Sequence, residues 1–154
     1  AIDLRKEGAA PTRQRALEAV QTPWVAFLDS DDIFMPDHLK KCMRHAQETG
    51  ADMVYPWFVM VGGTDPFPET HFTNDFDPAN QIETTIVRLI KTDLAKEVGF
   101  TAIDRGEQNS GEDFSSLLGY IELGAKISHL KEKTWYWVNH GANTSGRSDR
   151  GDAK

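Results

Sequence analysis

The chain has 154 residues, the size of one ordinary domain, and its apolar and charged fractions of 39% and 27% are those of a globular protein. These fractions exclude wholesale disorder, and no apolar stretch has the length needed to cross a bilayer. A formal net charge of -7 at pH 7 argues against general nucleic-acid binding, which requires a basic surface.

Cysteine content and the first residues bear on compartment and domain limits. A single cysteine, Cys42, cannot form an intramolecular disulfide, so the expected location is the reducing cytoplasm. No basic and apolar leader opens the chain, and nothing predicts secretion. The chain starts with Ala1-Ile2-Asp3-Leu4, as though at the end of a strand, so we expect it to lack the N-terminal part of a larger domain. Residues 1–146 are predicted to form one domain and 147–154 a flexible polar tail.

The first half of the chain shows two helical patterns and a strand. Pro11 suits the first turn of a helix that continues through residues 12–20. Residues 24–28 form a short, continuously apolar run, which is typical of a buried strand. A second helix is predicted to begin at Pro36-Asp37 and to end at Gly50. Its core-facing positions, by their spacing, are Leu39, Cys42, Met43 and Ala46.

The second half alternates strands with helices. Predicted strands cover residues 53–61, 84–90, 126–130 and 134–138. Predicted helices begin near Thr92 and Glu112 and end at Gly99 and Gly124. Residues 64–80 form a loop of a length that is usually functional or mobile. This alternation indicates an α/β domain, with some antiparallel pairing late in the chain.

Three aspartates follow the first predicted strand: Asp29, Asp31 and Asp32. Open α/β sheets bind ligands beyond the carboxyl ends of their strands. In an extended segment the side chains of Asp29 and Asp31 point the same way, and two such carboxylates repel unless a cation compensates them. Carboxylate oxygens suit Mg²⁺ or Mn²⁺, which keep positions open for substrate phosphates. The cluster therefore predicts a metal site that receives a diphosphate.

Three other interpretations of the cluster are a helix N-cap, an EF-hand loop and the active site of an aspartyl-nucleophile phosphatase. A helix N-cap at Asp32 explains one acid but not three. An EF-hand loop is excluded, because Ile33 and Phe34 occupy positions that need further ligands and the turn glycine. An aspartyl-nucleophile phosphatase also places Asp-x-Asp after a strand, but this chain has no matching downstream Thr and Lys context.

An ordered set of segments resembles glycosyltransferase family 2, which shows a Gly-rich turn, a helix start with Arg, an apolar strand and an Asp-x-Asp motif in this order. The segments are Gly8–Leu17, Trp24–Asp32, Pro36–Leu39, Val87–Phe100, Gly111–Phe114 and Trp135–Ser145. Gln14 stands where the family usually has Asn. The resemblance implies a GT-A fold: a mixed, mostly parallel sheet flanked by helices, here an N-terminally truncated Rossmann-like half. It also implies a nucleotide-diphosphate sugar donor, Mn²⁺ or Mg²⁺ as cofactor, and inversion at the anomeric carbon.

The resemblance implies roles on the donor side. Asp31 is a metal ligand, and Asp29 is a second ligand or a partner to the ribose or a metal-bound water. Asp32 orients its neighbours at the donor site or caps the following helix. Arg13 pairs with diphosphate oxygens, or else is a solvated helix charge. Asp3 contacts the nucleotide base.

Later residues complete the implied site. His140 is a third metal ligand or a surface residue. Residues 143–147, with Arg147 bound to the donor, form a lid or a disordered tail. Asp113 matches the catalytic base, with Glu112 beside it supporting its basicity; the alternative is that both acids only decorate a first helical turn.

The leading hypothesis is therefore a metal-dependent hexosyl- or N-acetylhexosaminyltransferase that acts on a carbohydrate or other hydroxyl-bearing acceptor. The alternative is a non-catalytic, truncated or degenerate transferase domain that binds carbohydrate or protein. Both acidic motifs favour the enzyme, whereas the expected loss of the N-terminal third favours the binding module.

Overall fold

The computed structural model describes residues 9–80, 84–100 and 112–140. The helices are α1 (Ala9–Glu18), α2 (His38–Thr49), α3 (Glu69–Thr73), α4 (Thr92–Val98) and α5 (Glu112–Glu122), with a 3₁₀ turn at Pro78–Asn80. The strands are β1 (Trp24–Ala26), β2 (Ile33–Phe34), β3 (Met53–Val61), β4 (Leu89–Lys91) and β5 (Ile127–Val138). None of the helices in these ranges is long and apolar enough to cross a membrane.

The strands form one five-stranded sheet in the order β1-β4-β3-β5-β2. Strands β3 and β5 pair in parallel, whereas β1 with β4, β3 with β4, and β2 with β5 are antiparallel. The mixed α/β sheet flanked by helices is confirmed. The expectation that it is mostly parallel is wrong for the described strands, because continuous apolar runs predict burial and not direction, which depends on the connections between strands.

Both faces of the sheet are covered. Met53, Tyr55 and Trp57 of β3 join Leu17 of α1 and Leu117 of α5 in the larger core cluster. On the other face, Val54 packs with Leu89 and Leu130 against Cys42 and Ala46 of α2. Burial on both faces explains why β3 reads as a continuous apolar run and why its predicted limits match the structure.

Helix α2 presents the predicted stripe with one exception. Cys42 and Ala46 are buried and Met43 packs against their cluster, whereas Leu39 is 51% exposed. The buried residue at the start of the helix is His38 instead. His38 takes the place of Leu39 because its ring stacks on Phe34 and its Nδ1 hydrogen-bonds the Thr134 hydroxyl at 2.8 Å.

Three strands of the structure, β5, β4 and β2, also differ from the prediction. The two last predicted strands are one strand, β5, whose register against β3 shifts on either side of Trp57. Strand β4 begins only at Leu89, because residues 84–88 have no strand partner. The two-residue strand β2 was missed, since a run of that length has no periodicity.

Gly119 allows α5 to approach α4. A Cβ added to Gly119 would lie 2.6 Å from Cγ1 of Val98. Helix propensity alone predicts that Gly119→Ala stabilises the protein by about 0.5–1 kcal/mol. We expect the opposite sign, a loss of about 1–3 kcal/mol in urea unfolding, because the packed helices cannot absorb this overlap without moving.

The matched test repeats Gly119→Ala in a Val98→Ala background. With the clashing methyl groups removed, the alanine should be neutral or stabilising. If Gly119→Ala loses the same unfolding free energy in the wild-type and Val98→Ala backgrounds, the close approach of the helices is not the cause of that loss.

Candidate active site

The three aspartates lie in a turn between β1 and β2. The amide of Asp32 donates to the carbonyl of Asp29 at 3.1 Å, and one carboxylate oxygen from each of Asp29, Asp31 and Asp32 lies within 4.8 Å of the others. A turn, and not the expected extended segment, gathers the carboxylates. No other group of three potential metal ligands at this spacing occurs in the described ranges.

Arg13 of α1 reaches this cluster. Its guanidinium forms an ion pair with the Asp29 carboxylate, and its side chain is 15% exposed. This position excludes the alternative of a freely solvated helix charge. It places the planar guanidinium, which can bind two phosphate oxygens at once, beside the acids.

His140 reaches the cluster from the far end of the sequence. Its Nε2 lies 2.9 Å from Oδ2 of Asp31. Strand β5 pairs with β2 through Ile33 and Tyr136, and this pairing brings the residues after β5 back to the turn. The structure thus brings together the predicted metal ligands.

Asp32 is oriented by the backbone of β5. Its Oδ1 accepts a hydrogen bond from the Val138 amide at 3.1 Å. The pKa of Asp32 is raised to about 6, chiefly by burial and also by the charges of Asp31 and Asp29, against lowering contributions from the Val138 amide and His140. The alternative that Asp32 caps α2 is wrong, because α2 begins six residues later, after Asp37.

This pKa gives a stability prediction for Asp32→Asn. A folded pKa near 6 lies above the unfolded value of 3.8, so the wild-type protein loses stability as the pH rises between these values. Asparagine stays neutral and can still accept from Val138. In EDTA at pH 7.5 we expect the variant to be more stable by on the order of 1 kcal/mol, after allowance for partial solvent exposure.

Urea unfolding from pH 7.5 down to pH 4 measures this effect. The advantage of the variant should shrink as the pH falls through 6, because wild-type Asp32 then becomes protonated in the folded protein. Glu97→Gln, an exposed acid on α4, serves as the control. If the stability gain of Asp32→Asn does not depend on pH, removal of the Asp32 charge is not the cause of that gain.

The ligand atoms present fit a divalent cation. Carboxylate oxygens with one imidazole nitrogen suit Mn²⁺, and carboxylates alone suit Mg²⁺. Asp29, Asp31 and His140 would hold the ion. Mutual repulsion between the acids contributes to the raised pKa of Asp32, and a bound cation would relieve it.

Asp113 lies in the first turn of α5. Its Oδ1 accepts from the Phe114 amide at 3.0 Å, and its backbone carbonyl accepts from Arg88 at 2.9 Å and from the Ser116 hydroxyl at 2.8 Å. Asp113 is partly exposed and therefore accessible to a substrate. The backbone of Asp113 is thus fixed at the start of α5, and its role as a general base stays a prediction.

Three predicted residues cannot be placed. Asp3, Arg147 and the side chain of Glu112 lie outside the described residues, as does the tail after His140. Their roles stay predictions.

Two contacts that support the elements around the site, those of Arg88 and Gln14, were not predicted from the sequence. The first is made by Arg88: a single charge inside the apolar run 86–90 is a sequence signal for a buried, paired arginine. Gln14 was noted only as a departure from the family. Its Oε1 accepts from the Phe100 amide at 2.8 Å and so ties α1 to the residues after α4.

Comparisons with known proteins identify the family and the fold. The model of the family "Glycosyl transferase family 2" matches residues 2–109. The crystal structure of S. aureus TarS 1-349 superposes with a TM-score of 0.71 at 23% identity, over 89% of this chain and 42% of that one. TarS 1-349 in complex with UDP-GlcNAc gives a TM-score of 0.69 at 20% identity, over 91% and 42% of the two chains. Its UDP complex gives 0.67 at 22%, over 90% and 42%.

These structures show the fold and also a difference in length. The chain spans less than half of TarS 1-349. No curated protein sequence matches the chain. The family match nevertheless covers well over half of the chain, and the chain shares the fold of TarS 1-349. The protein therefore belongs to glycosyltransferase family 2.

Proposed function

We propose that the chain carries the donor site and the catalytic base of a metal-dependent, inverting glycosyltransferase. The observation that carries this proposal is the convergence of Asp29, Asp31, Asp32, Arg13 and His140 at one turn in a family 2 fold. A second candidate function, a non-catalytic carbohydrate- or protein-binding module, has no structural observation in its favour.

The donor is proposed to be a uridine-diphosphate hexose or N-acetylhexosamine. Support comes from TarS, a structural neighbour that was crystallised with UDP-GlcNAc and with UDP. The net charge of -7 does not oppose an anionic donor, because a bound divalent cation and Arg13 would offset the charges of the three aspartates and offer positive groups to the phosphates. We place the reaction in the cytoplasm, since Cys42, the single cysteine, is a buried free thiol.

The proposed reaction uses this chain's residues in two places. At the acceptor, the Asp113 carboxylate takes the hydroxyl proton as that oxygen forms a bond to the anomeric carbon. At the donor, the bond from the anomeric carbon to the diphosphate oxygen breaks, and the diphosphate leaves with the electron pair. Arg13 stabilises the charge that develops there, and Asp29 orients Arg13. A bound Mn²⁺ or Mg²⁺ would supply further neutralisation of the leaving diphosphate.

A panel of nucleotide sugars tests the proposal. Thermal unfolding of the native protein that contains this chain is measured with UDP, with GDP, and with each donor, in Mn²⁺ and in EDTA. We expect UDP compounds to raise Tm only in the presence of the metal, and one UDP-sugar to be hydrolysed or transferred. If a sugar ligand raises Tm but no donor is consumed, the protein is a binding module.

A further inference from the structure

Arg88 is a charged residue in the core. It precedes β4 within an apolar run, and it is 1% exposed. Burial lowers its pKa, because the charged guanidinium loses its hydration. A buried guanidinium is tolerated only where its donors are satisfied, so its contacts indicate what it does.

The guanidinium joins two segments of the chain. On the β4 side, Nε donates to the Thr84 hydroxyl at 3.0 Å and to the Thr85 carbonyl at 2.9 Å. On the α5 side, one terminal nitrogen donates to the Ser116 hydroxyl at 3.0 Å and the other to the Asp113 carbonyl at 2.9 Å. Arg88 therefore fastens the first turn of α5 to the segment that enters the sheet.

The contacts with α5 form a closed triangle. The Ser116 hydroxyl accepts from Arg88 and donates to the same Asp113 carbonyl at 2.8 Å. That carbonyl is therefore held by two donors from different directions. Because the side chain and the carbonyl of Asp113 share one α-carbon, fixing the carbonyl restricts where the carboxylate points.

Two charged groups of the proposed site, Asp113 and Arg13, act electrostatically on Arg88. The carboxylate of Asp113 raises the pKa of Arg88 and the guanidinium of Arg13 lowers it, so both groups are near enough to act on it. Arg13 is the partner of Asp29 in the acidic cluster. Arg88 is thus within electrostatic range of Asp113 and of Arg13, and it is bonded directly to the backbone of Asp113.

We propose that Arg88 is the positioning residue of the transfer reaction, which holds Asp113 in the direction from which it takes the acceptor proton. The proposal rests on the proposed function, in which Asp113 is the base. The planar guanidinium donates to the Thr84 and Ser116 hydroxyls and to the carbonyls of Thr85 and Asp113, whereas lysine offers a single charged point. Arg88→Lys should therefore keep the buried charge and lose the geometry.

The test compares three variants of the native protein in steady-state transfer from its UDP-sugar. We expect Arg88→Lys to lower kcat by about 100-fold with the donor KM changed by less than about threefold, since misplacement of a catalytic group acts on the chemical step. Ser116→Ala, which breaks the triangle without removing charge, should lower kcat by about tenfold at unchanged KM. It also keeps the proposal testable if Arg88→Lys does not fold.

Tyr120→Phe is the matched control. Tyr120 lies on α5, as do Asp113 and Ser116; it is fully buried near Arg88, and its hydroxyl has no hydrogen-bond partner among the described residues. Its kcat should stay within about twofold of the wild type, because no contact of Asp113 is changed. Amide hydrogen exchange over the first turn of α5 supplies a second readout. It should become faster in Ser116→Ala and stay unchanged in Tyr120→Phe. The Tm of Ser116→Ala should fall, because a buried donor of Arg88 loses its acceptor, whereas the Tm of Tyr120→Phe should stay close to the wild type.

The outcomes separate the two proposals. A wild-type protein that transfers no sugar overturns the proposed function and the role of Arg88 together. If the wild type is active and Asp113→Asn is not, the function stands. The role of Arg88 is then overturned if Ser116→Ala keeps wild-type kcat, if folded Arg88→Lys changes only KM, or if Tyr120→Phe loses as much kcat as Ser116→Ala.

Discussion

Asp113→Asn is expected to reduce kcat for sugar transfer by about 10³-fold, while affinities for UDP and Mn²⁺ stay within about twofold of the wild type. An amide of nearly the same shape can still accept from the Phe114 amide but cannot take the acceptor proton. Without a base, the attacking oxygen must lose its proton to water, which is a poorer acceptor. Transfer is measured by release of UDP, and binding by isothermal titration.

Glu122→Gln at the other end of α5 is the control for this variant. It removes an exposed acid from the same helix and should leave kcat unchanged. Loss of UDP binding in Asp113→Asn would show instead that Asp113 has a structural role. Transfer at the wild-type rate would remove it from the chemistry.

Asp31→Ala is expected to remove metal-dependent donor binding, with a Mn²⁺ affinity at least about 100-fold weaker. Changes in outer-shell groups already weaken metal sites by 10–100-fold, and loss of a direct ligand should exceed that. The alanine also leaves His140 without the carboxylate that lies 2.9 Å from its Nε2. The donor should then bind no better in Mn²⁺ than in EDTA.

Asp37→Ala provides the matched comparison for the metal site. Asp31 comes just before β2 and Asp37 just after it, but the carboxylate of Asp37 pairs with Lys41 at 3.0 Å and is not part of the acidic cluster. Its Mn²⁺ affinity should equal that of the wild type. An unchanged Mn²⁺ affinity of Asp31→Ala would exclude Asp31 as a ligand.

Much of the site was predictable because its signals are local in the sequence. Asp29, Asp31 and Asp32 follow a buried strand directly, and crowding of acids at a strand end is informative without knowledge of any distant residue. The limits of β3 and the end of α2 at Gly50 were also correct. Gly50 has a φ of 67°, a left-handed conformation that glycine adopts without strain.

Other features depended on contacts between distant residues. Leu39 and His38 are neighbours in the sequence, and periodicity alone favours the leucine for the core. The structure buries His38 because Phe34 and Thr134, which belong to other elements, receive its ring. The direction of the strands was likewise not encoded in their apolar runs.

By itself, the sequence determined the family, the helix and strand alternation, and the acidic motif on which the proposed chemistry depends. The tertiary structure decided which residues share the site: His140 with Asp31, Arg13 with Asp29, and Arg88 with the start of α5. The physical reason is that residues adjacent in the sequence are kept together by the backbone itself. His140 and Asp31 are 109 positions apart, and they meet only once the sheet has set the register of β5 against β2.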